Sequence, residues 1–471
     1  MEGRSPGEAL VSDYEAGVAV EPVEPLRDVA EAGPPWLAAT LPALDLAAGS
    51  VRALRRAAVR AGARGPLAEA PLDLSRVAAA FSSDRLLRLD GRVVARFAPL
   101  SGFYRTADGW VRTHANYPHH EHRLLAALHL HGVGGGPGSL TPALHGVGPA
   151  DIAQALRALT AQQVEDAATA ARAVAARVRT EEEWRSSPQG VAAAEGPLVR
   201  LTPRDDGAEV RAAGASPHGT PRLPLAGVRV LDLTRVIAGP VGTRTLALLG
   251  ADVLRIDPPV PAEVRWQHLD TGQGKRTALL DLHDAGDHAQ AQALLDEADV
   301  LVTGYRPGAI EAFGLRPPPG LVHARVSAWG ETGPWSARRG FDSIVQAATG
   351  IALIEAQHDA DGHAGWPSTL PAQALDHASG YLLAAGVLDA LTARRADGRG
   401  RDVVASLART ATWLLDAPGR DPGHPPAAPV TAVETVTHGR GPEVTTARPA
   451  LPGFDDYPAP AHPWGTDHAR W

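Results

Sequence analysis

Two periodicities divide the first part of the chain. Between about Pro35 and Ala63 apolar residues recur at helical spacing through Trp36, Leu37, Leu41, Leu44 and Leu46, then Val51, Leu54 and Ala58, and this predicts helix. Residues 86–113 instead alternate in short apolar runs broken by Asp90-Gly91 and Asp108-Gly109. Glycine supplies the positive φ that tight hairpin turns need, so this stretch predicts β-hairpins. A Gly-rich loop follows at 131–139, two helices are expected within 151–176, and the run from Arg179 to Trp184 reads as another helix start with Thr180 as N-cap. Residues 1–35, acidic and interrupted by Pro and Gly, predict a frayed terminus.

Beyond a polar, Gly/Pro-rich stretch at 203–224 the pattern changes to strand–helix alternation. Strands are expected at 228–233, 252–256, 279–282, 300–303 and 323–328. Helices are expected at 238–249, 286–297, 342–352 and 378–395, with a last strand and helix within 402–415. Such alternation predicts βαβ units, hence an α/β fold: a Rossmann-like parallel sheet with helices on both faces. The expected organisation is a smaller α+β region at 1–202, a linker at 203–224, the Rossmann-like domain at 225–415, and a Pro/Gly-rich tail at 416–471 without regular structure.

Composition narrows the chemistry. The chain has 44% hydrophobic and 21% charged residues, the balance of a globular protein, and its 471 residues exceed one ordinary core. No cysteine is present, which excludes disulfides, thiolate catalysis and Cys-ligated zinc. A net charge of −8 argues against a broad basic face for nucleic acid. The longest apolar runs, such as 381–391, are far short of the ~20 residues of a bilayer span. The first 25 residues carry Glu2, Glu8, Asp13, Glu15, Glu21 and Glu24 and no apolar signal core, so a cytoplasmic protein without a membrane partner is expected.

Ligands of open α/β sheets bind at strand ends. The loop after 228–233, leading into a helix that opens with Gly239-Pro240, offers backbone N–H groups to a phosphate or an adenine ring; a simple helix start is the equal alternative. It is not a GxGxxG fingerprint. Arg255, Lys275, Arg276 and Arg306 fall near strand ends and suit a pyrophosphate or a 3′-phosphate, with solvated surface charge as the competing reading. Gly274-Lys275-Arg276 lacks the glycine spacing of a Walker A loop. Asp376 lies between a Pro-containing loop and an apolar helix. It either caps that helix or, its anion favoured by the helix dipole, serves as a covalent nucleophile. His119, His120 and His122 read as a solvated loop–helix junction rather than a metal site; neither HExxH nor a GxSxG elbow occurs.

Taken in order, PLAGVRVLDLTRVIAGPVGTRTLALLGADVLRID, GKRTALLDL, ADVLVTGYRPGAIEAFGL, RVSAWGETGPWSARRGFDSIVQAATG and ALDHASGYLLAAGVLDALTARRADGRGRDV resemble the CaiB–BaiF family, the family III CoA-transferases. The resemblance runs from about Pro224 to Ala411. The earlier SGFYRTADGWVRTH, with RTEEEW, resembles a portion that in this family normally follows the nucleotide-binding part. Here it precedes it, so the chain resembles a rearranged or fused copy.

The resemblance implies a large Rossmann-like domain and a smaller one, an interlocked homodimer, and transfer of CoA from an acyl-CoA to a carboxylic acid. No permanently bound cofactor and no metal are implied; the coenzyme A thioester is substrate. The aspartate that such enzymes load as an aspartyl-CoA thioester corresponds to Asp376. Coenzyme contacts correspond to Arg235, Val236, Ile237, Ala238, Arg255, Lys275, Tyr305, Arg306 and Arg339. The family's usual Asn is Gly304 here and a common basic residue is Ala312. The Gly-rich loop that covers some members' sites has no clear counterpart after Asp376. The racemases of the family carry a histidine where this chain has Phe341. A 2-methylacyl-CoA racemase and a catalytically impaired CoA-binding subunit are therefore the alternative expectations.

Overall fold

The computed structural model describes residues 5–23, 33–130, 147–206, 220–356, 365–439 and 443–471. Its centre is a seven-stranded sheet. From one edge the order is Val199–Pro203, Arg401–Ser406, Val322–Ser327, Val300–Thr303, Arg229–Leu233, Asp252–Asp257 and Arg276–Leu279. All neighbours pair in parallel except Val199–Pro203, which runs antiparallel to Arg401–Ser406. The parallel strands are nearly continuous apolar runs because helices cover both faces. Val300–Thr303, for example, is buried at every position.

Chain order reverses across one pair. After Arg229–Leu233 the chain adds Asp252–Asp257 and Arg276–Leu279 on one side, then crosses to Val300–Thr303 on the other, where Val300 pairs with Val230. Loops leaving these two strands diverge, and a crevice opens between them at their C-terminal ends.

The expected α/β class and the strand–helix alternation after 224 are present. The strand expected at 279–282 lies at Arg276–Leu279, pairing Arg276 with Leu254. Both hairpins form, Arg88–Leu89 with Arg92–Val93 and Phe103–Arg105 with Trp110–Thr113, the second extended by Ala175–Arg177. Thr180 caps its helix through a 3.1 Å bond from the Glu183 N–H. The Gly-rich loop at 131–139 and most of 203–224 lie outside the described residues.

Three features differ from expectation. Residues 6–18 form a helix, Pro6–Val18, whose Leu10, Val11 and Tyr14 are fully buried. Ser5 caps it and Pro6 occupies its first position, so the Pro that reads as a breaker is a starter. The tail contains two strands, Thr435–His438 and Val444–Ala447, and the second pairs with Arg88–Leu89. Finally, the expected boundary near 203–224 does not divide the core. The helix Ala43–Arg60 packs along Ala374–Asp397, and one apolar cluster includes residues from Leu10 to Tyr457. Arg60 ties these parts together through Asp389 at 2.8 Å and Glu15 at 2.7 Å, while the Tyr14 hydroxyl donates to Asp389 at 2.8 Å.

Among the described residues no helix is long and apolar enough to cross a membrane.

Candidate active site

The loop leaving Arg229–Leu233 carries the first unusual geometry. Val236 has φ of 72°, a left-handed conformation that a β-branched residue adopts only under constraint, and such strain gathers at functional sites. The constraint is visible around it. The Val236 N–H points to Glu263 Oε2 at 3.2 Å, and Arg235 donates to the carbonyls of Pro261 and Ala262 at 3.0 and 2.7 Å. Just beyond, the helix Ala238–Leu248 crosses Ala374–Asp397 at a glycine. A Cβ at Gly380 would lie 2.5 Å from the Ala238 carbonyl oxygen, so only glycine lets the helices approach this closely. That crossing sets Asp376, one turn earlier, beside Val236 and Ile237.

A cleft of about 550 Å³ opens at these strand ends. One wall is the strand-end loops with Arg235, Val236, Tyr305, Arg306 and Arg339. The opposite wall comes from the N-terminal region, with Tyr117, His119 and His120. Tyr117 is locked in place, its hydroxyl donating to Glu263 at 2.6 Å and its ring lying 5.2 Å from the Arg235 guanidinium. Burial alone would raise the Glu263 carboxyl, but Arg255 and Arg235 outweigh it and bring it down to about 2. The cleft's outer end is strongly cationic. Burial, then Arg306, Arg123 and Arg172, lower the Arg339 guanidinium to about 10, and no carboxylate is among the groups acting on it. An uncompensated guanidinium cluster is a site for a multiply charged anion.

A second cavity, of about 20 Å³, lies deeper and shares Val236 and Phe341 with the cleft. Asp376, Ile237 and Gln373 line it from the Rossmann side, and Asp84, Arg96, Phe97, His114 and Asn116 from the N-terminal region. Asp376 is not a helix cap. It sits inside the first turn of Ala374–Asp397, its side chain makes no cap bond, and its own N–H donates to Asp342 Oδ2 at 2.9 Å. Asp342 caps the helix from 34 positions away and is itself held by Gln346.

The electrostatics reverse the expectation that the helix dipole favours an anion. Burial first, and then the neighbouring Asp342, push the Asp376 carboxyl well above the ordinary carboxylate range. Burial likewise lifts Asp342 to about 6. Two close buried carboxyls resist double ionisation. His114 stacks on Phe341 with ring centroids 3.8 Å apart, and burial followed by Arg112 lowers it to about 3, so its imidazole is neutral.

The sequence-derived residues are distributed unequally. Arg235, Val236, Tyr305, Arg306 and Arg339 line the cleft, Ile237 and Asp376 line the inner cavity, and Ala238 opens the helix between them. Arg255 and Lys275 are not brought into either space. Arg255 is 1% exposed and paired with Asp257 and Glu263 at 2.8 Å each. Lys275 is 3% exposed and bonded to Asp232, Thr243 and the Pro240 carbonyl. Both hold the strand-end loops from within. His119 and His120 line the cleft, and no group of three or more His, Asp or Glu is placed to hold a metal among the described residues. Sequence reasoning missed Asp342, His114, Tyr117 and Arg96. The only signal for Asp342 was its place next to Phe341 in the GFDS run.

Residues 225–429 match the family model described as CoA-transferase family III. A probable fatty acyl-CoA transferase of Mycobacterium tuberculosis is 34% identical over 201 residues, covering 39% of this chain and 50% of its own. The alpha subunit of a succinyl-CoA–L-malate CoA-transferase of Chloroflexus aurantiacus is 30% identical over 237 residues, covering 44% and 54%. An acetyl-CoA:oxalate CoA-transferase of Acetobacter aceti is 33% identical over 205 residues, covering 40% and 51%. The chain thus spans about half the length of these curated relatives. The matched segment contains the whole reversed-order part of the sheet, the strained Val236 loop and the Asp342–Asp376 pair, and over residues 225–429 the chain is similar to CoA-transferase family III.

Proposed function

We propose that this protein moves CoA from an acyl-CoA to a carboxylic acid through a thioester on Asp376. The supporting observation is a carboxyl group lining a small cavity that shares Val236 and Phe341 with a larger, cationic cleft. Phosphates of the coenzyme fit the Arg306 and Arg339 end, and the acyl carbonyl reaches the inner cavity past Val236 and Phe341.

In the proposed reaction the Asp376 carboxylate attacks the thioester carbonyl and expels the CoA thiolate, leaving a mixed anhydride. The thiolate then attacks the aspartyl carbonyl, which releases the first acid and leaves aspartyl-CoA. An incoming carboxylate attacks that thioester and frees the thiolate again. Attack of the thiolate on the new acyl carbonyl completes the second acyl-CoA and regenerates Asp376. One thioester is exchanged for another, so the bond energy is kept and no nucleotide hydrolysis is required. The raised Asp376 carboxyl suits the attacking stage: its anion is poorly solvated and hence reactive. Isotope exchange tests this directly. Labelled acetate incubated with acetyl-CoA and the protein, without ATP, should enter acetyl-CoA, and Asp376→Ala should abolish the exchange.

A second reading has one specific observation behind it. The neutral imidazole of His114 lines the same cavity as Asp376, and two such groups around an α-carbon are what 2-methylacyl-CoA racemisation needs. Wash-in of solvent deuterium at the α-carbon without exchange of free acid would favour it. Cytoplasmic location and an interlocked homodimer remain part of the proposal, drawn from the family resemblance.

A further inference from the structure

We propose that Trp464, which lies beyond the family-matched residues 225–429, positions the strained loop at Val236 and so strengthens coenzyme binding in the cleft. The proposal rests on the reading of that cleft as the site of coenzyme A and names a positioning residue for it.

The segment around Trp464 is seated on the outer strand of the sheet, Arg276–Leu279. The Asp467 N–H donates to the Thr277 carbonyl at 2.8 Å, and the Thr277 N–H donates to the Asp467 carboxylate at 2.8 Å. The Gly465 N–H donates to the Thr277 hydroxyl at 3.2 Å. Gly465 has φ of 72°, and a Cβ there would lie 2.5 Å from Leu279 Cγ, so a larger residue would lift the segment off the strand. This seating carries the Trp464 indole to the end of the next strand, where its Nε1 donates to Asp257 Oδ2 at 3.0 Å. Asp257 is buried at the wall of the cleft, and its Oδ2 also faces Arg255 Nε at 2.8 Å. Its other oxygen accepts from Arg255 Nη2 at 3.0 Å, and the same nitrogen donates to Glu263 Oε2 at 2.8 Å. One guanidinium nitrogen is thus shared between two buried carboxylates, and its place depends on how well each is otherwise satisfied. The indole gives Asp257 a donor besides Arg255. Without it Asp257 draws harder on Arg255, and Glu263, which holds both the Val236 N–H and the Tyr117 hydroxyl, shifts with it. Val236 and Tyr117 line the cleft from opposite walls, so the shift reaches the ligand.

The test uses the full chain, free coenzyme A as the probe, and two matched variants. Trp464→Phe keeps an aromatic ring and removes the donor to Asp257. Trp471→Phe removes the same kind of donor from the same segment, but its partner is the Leu294 carbonyl at 2.9 Å, and Leu294 does not line the cleft. Calorimetric titration should show Kd raised about fivefold by Trp464→Phe and changed less than about twofold by Trp471→Phe. Linkage is reciprocal, so coenzyme A should slow amide deuterium exchange at Gly465 and Asp467 of the wild-type protein by a similar factor, a measurement that needs no variant to fold. A purely structural role for the segment would lower the melting temperature of both variants and leave both Kd values unchanged. That result, equal weakening by both variants, or deuterium exchange indifferent to coenzyme A overturns the proposal while leaving the cleft as the coenzyme site. Wild-type protein that binds no coenzyme A overturns that reading and the proposal with it.

Discussion

The backbone N–H of Asp376 donates to the Asp342 carboxylate across 2.9 Å, which makes one acidic side chain both the cap of the helix Ala374–Asp397 and the electrostatic neighbour of the proposed nucleophile. Structure and reactivity are thereby coupled. The residue that completes the helix start also makes the adjoining carboxyl harder to ionise.

The first prediction concerns pH. A protonated Asp376 is not a nucleophile, so kcat/KM should fall as pH drops through its raised value, well above the ordinary 3.8. The negative charge of Asp342 contributes to that rise. Asp342→Asn, which still accepts the Asp376 N–H, should move the acidic limb of the pH–rate profile to lower pH. An unmoved limb would mean that Asp342 only caps.

The second concerns stability. In the folded state Asp376 keeps a proton that the unfolded chain has released above its ordinary value of 3.8. Stability from this group is therefore fully present below about pH 3.8 and is lost as pH rises through the raised value. Asp376→Asn cannot ionise. Its melting temperature should match the wild type near pH 3.8 and exceed it progressively toward neutrality, while activity is lost. A constant difference across this range would contradict the assigned ionisation.

The third concerns the cleft. The Arg306 and Arg339 guanidinium groups repel each other, and the repulsion is relieved when an anion enters. Arg306→Ala should raise KM for acyl-CoA about 10-fold with kcat nearly unchanged, and it should weaken the salt dependence of KM. Steady-state kinetics at two ionic strengths check both.

The fourth concerns the N-terminal region. Arg60 bridges Asp389 on the Asp376 helix and Glu15 on the first helix, with its side chain 11% exposed. Arg60→Ala strands Asp389, which is 1% exposed, without its counter-ion. Breaking a buried pair from one side should cost about 3–5 kcal/mol, measured as a lowered urea midpoint.

Much of the fold was legible because parallel strands buried on both faces read as short apolar runs, and Val300–Thr303 lies where its VLVT pattern put it. The proposal of Asp376 rests on the family motif, since by pattern alone an Asp at a helix start reads more readily as a cap. What was hidden arose from long-range pairing. Nothing local to Pro6–Val18 announces that Tyr14 will meet Asp389, 375 positions away. Arg255 and Lys275 stand at strand ends as a ligand site requires, yet their partners Glu263 and Asp232 turn them inward. Arg96 was invisible for the same reason, since only the folded chain brings a loop residue to the cavity lined by Asp376, 280 positions later.

The most direct test of the account is to mix the protein with an exchangeable acyl-CoA, quench, digest, and map covalent adducts by mass spectrometry with and without hydroxylamine. The account predicts coenzyme A, or its hydroxamate replacement, on the peptide bearing Asp376 and nowhere else. Acyl exchange proceeding at full rate with that peptide unmodified at every time point would contradict it.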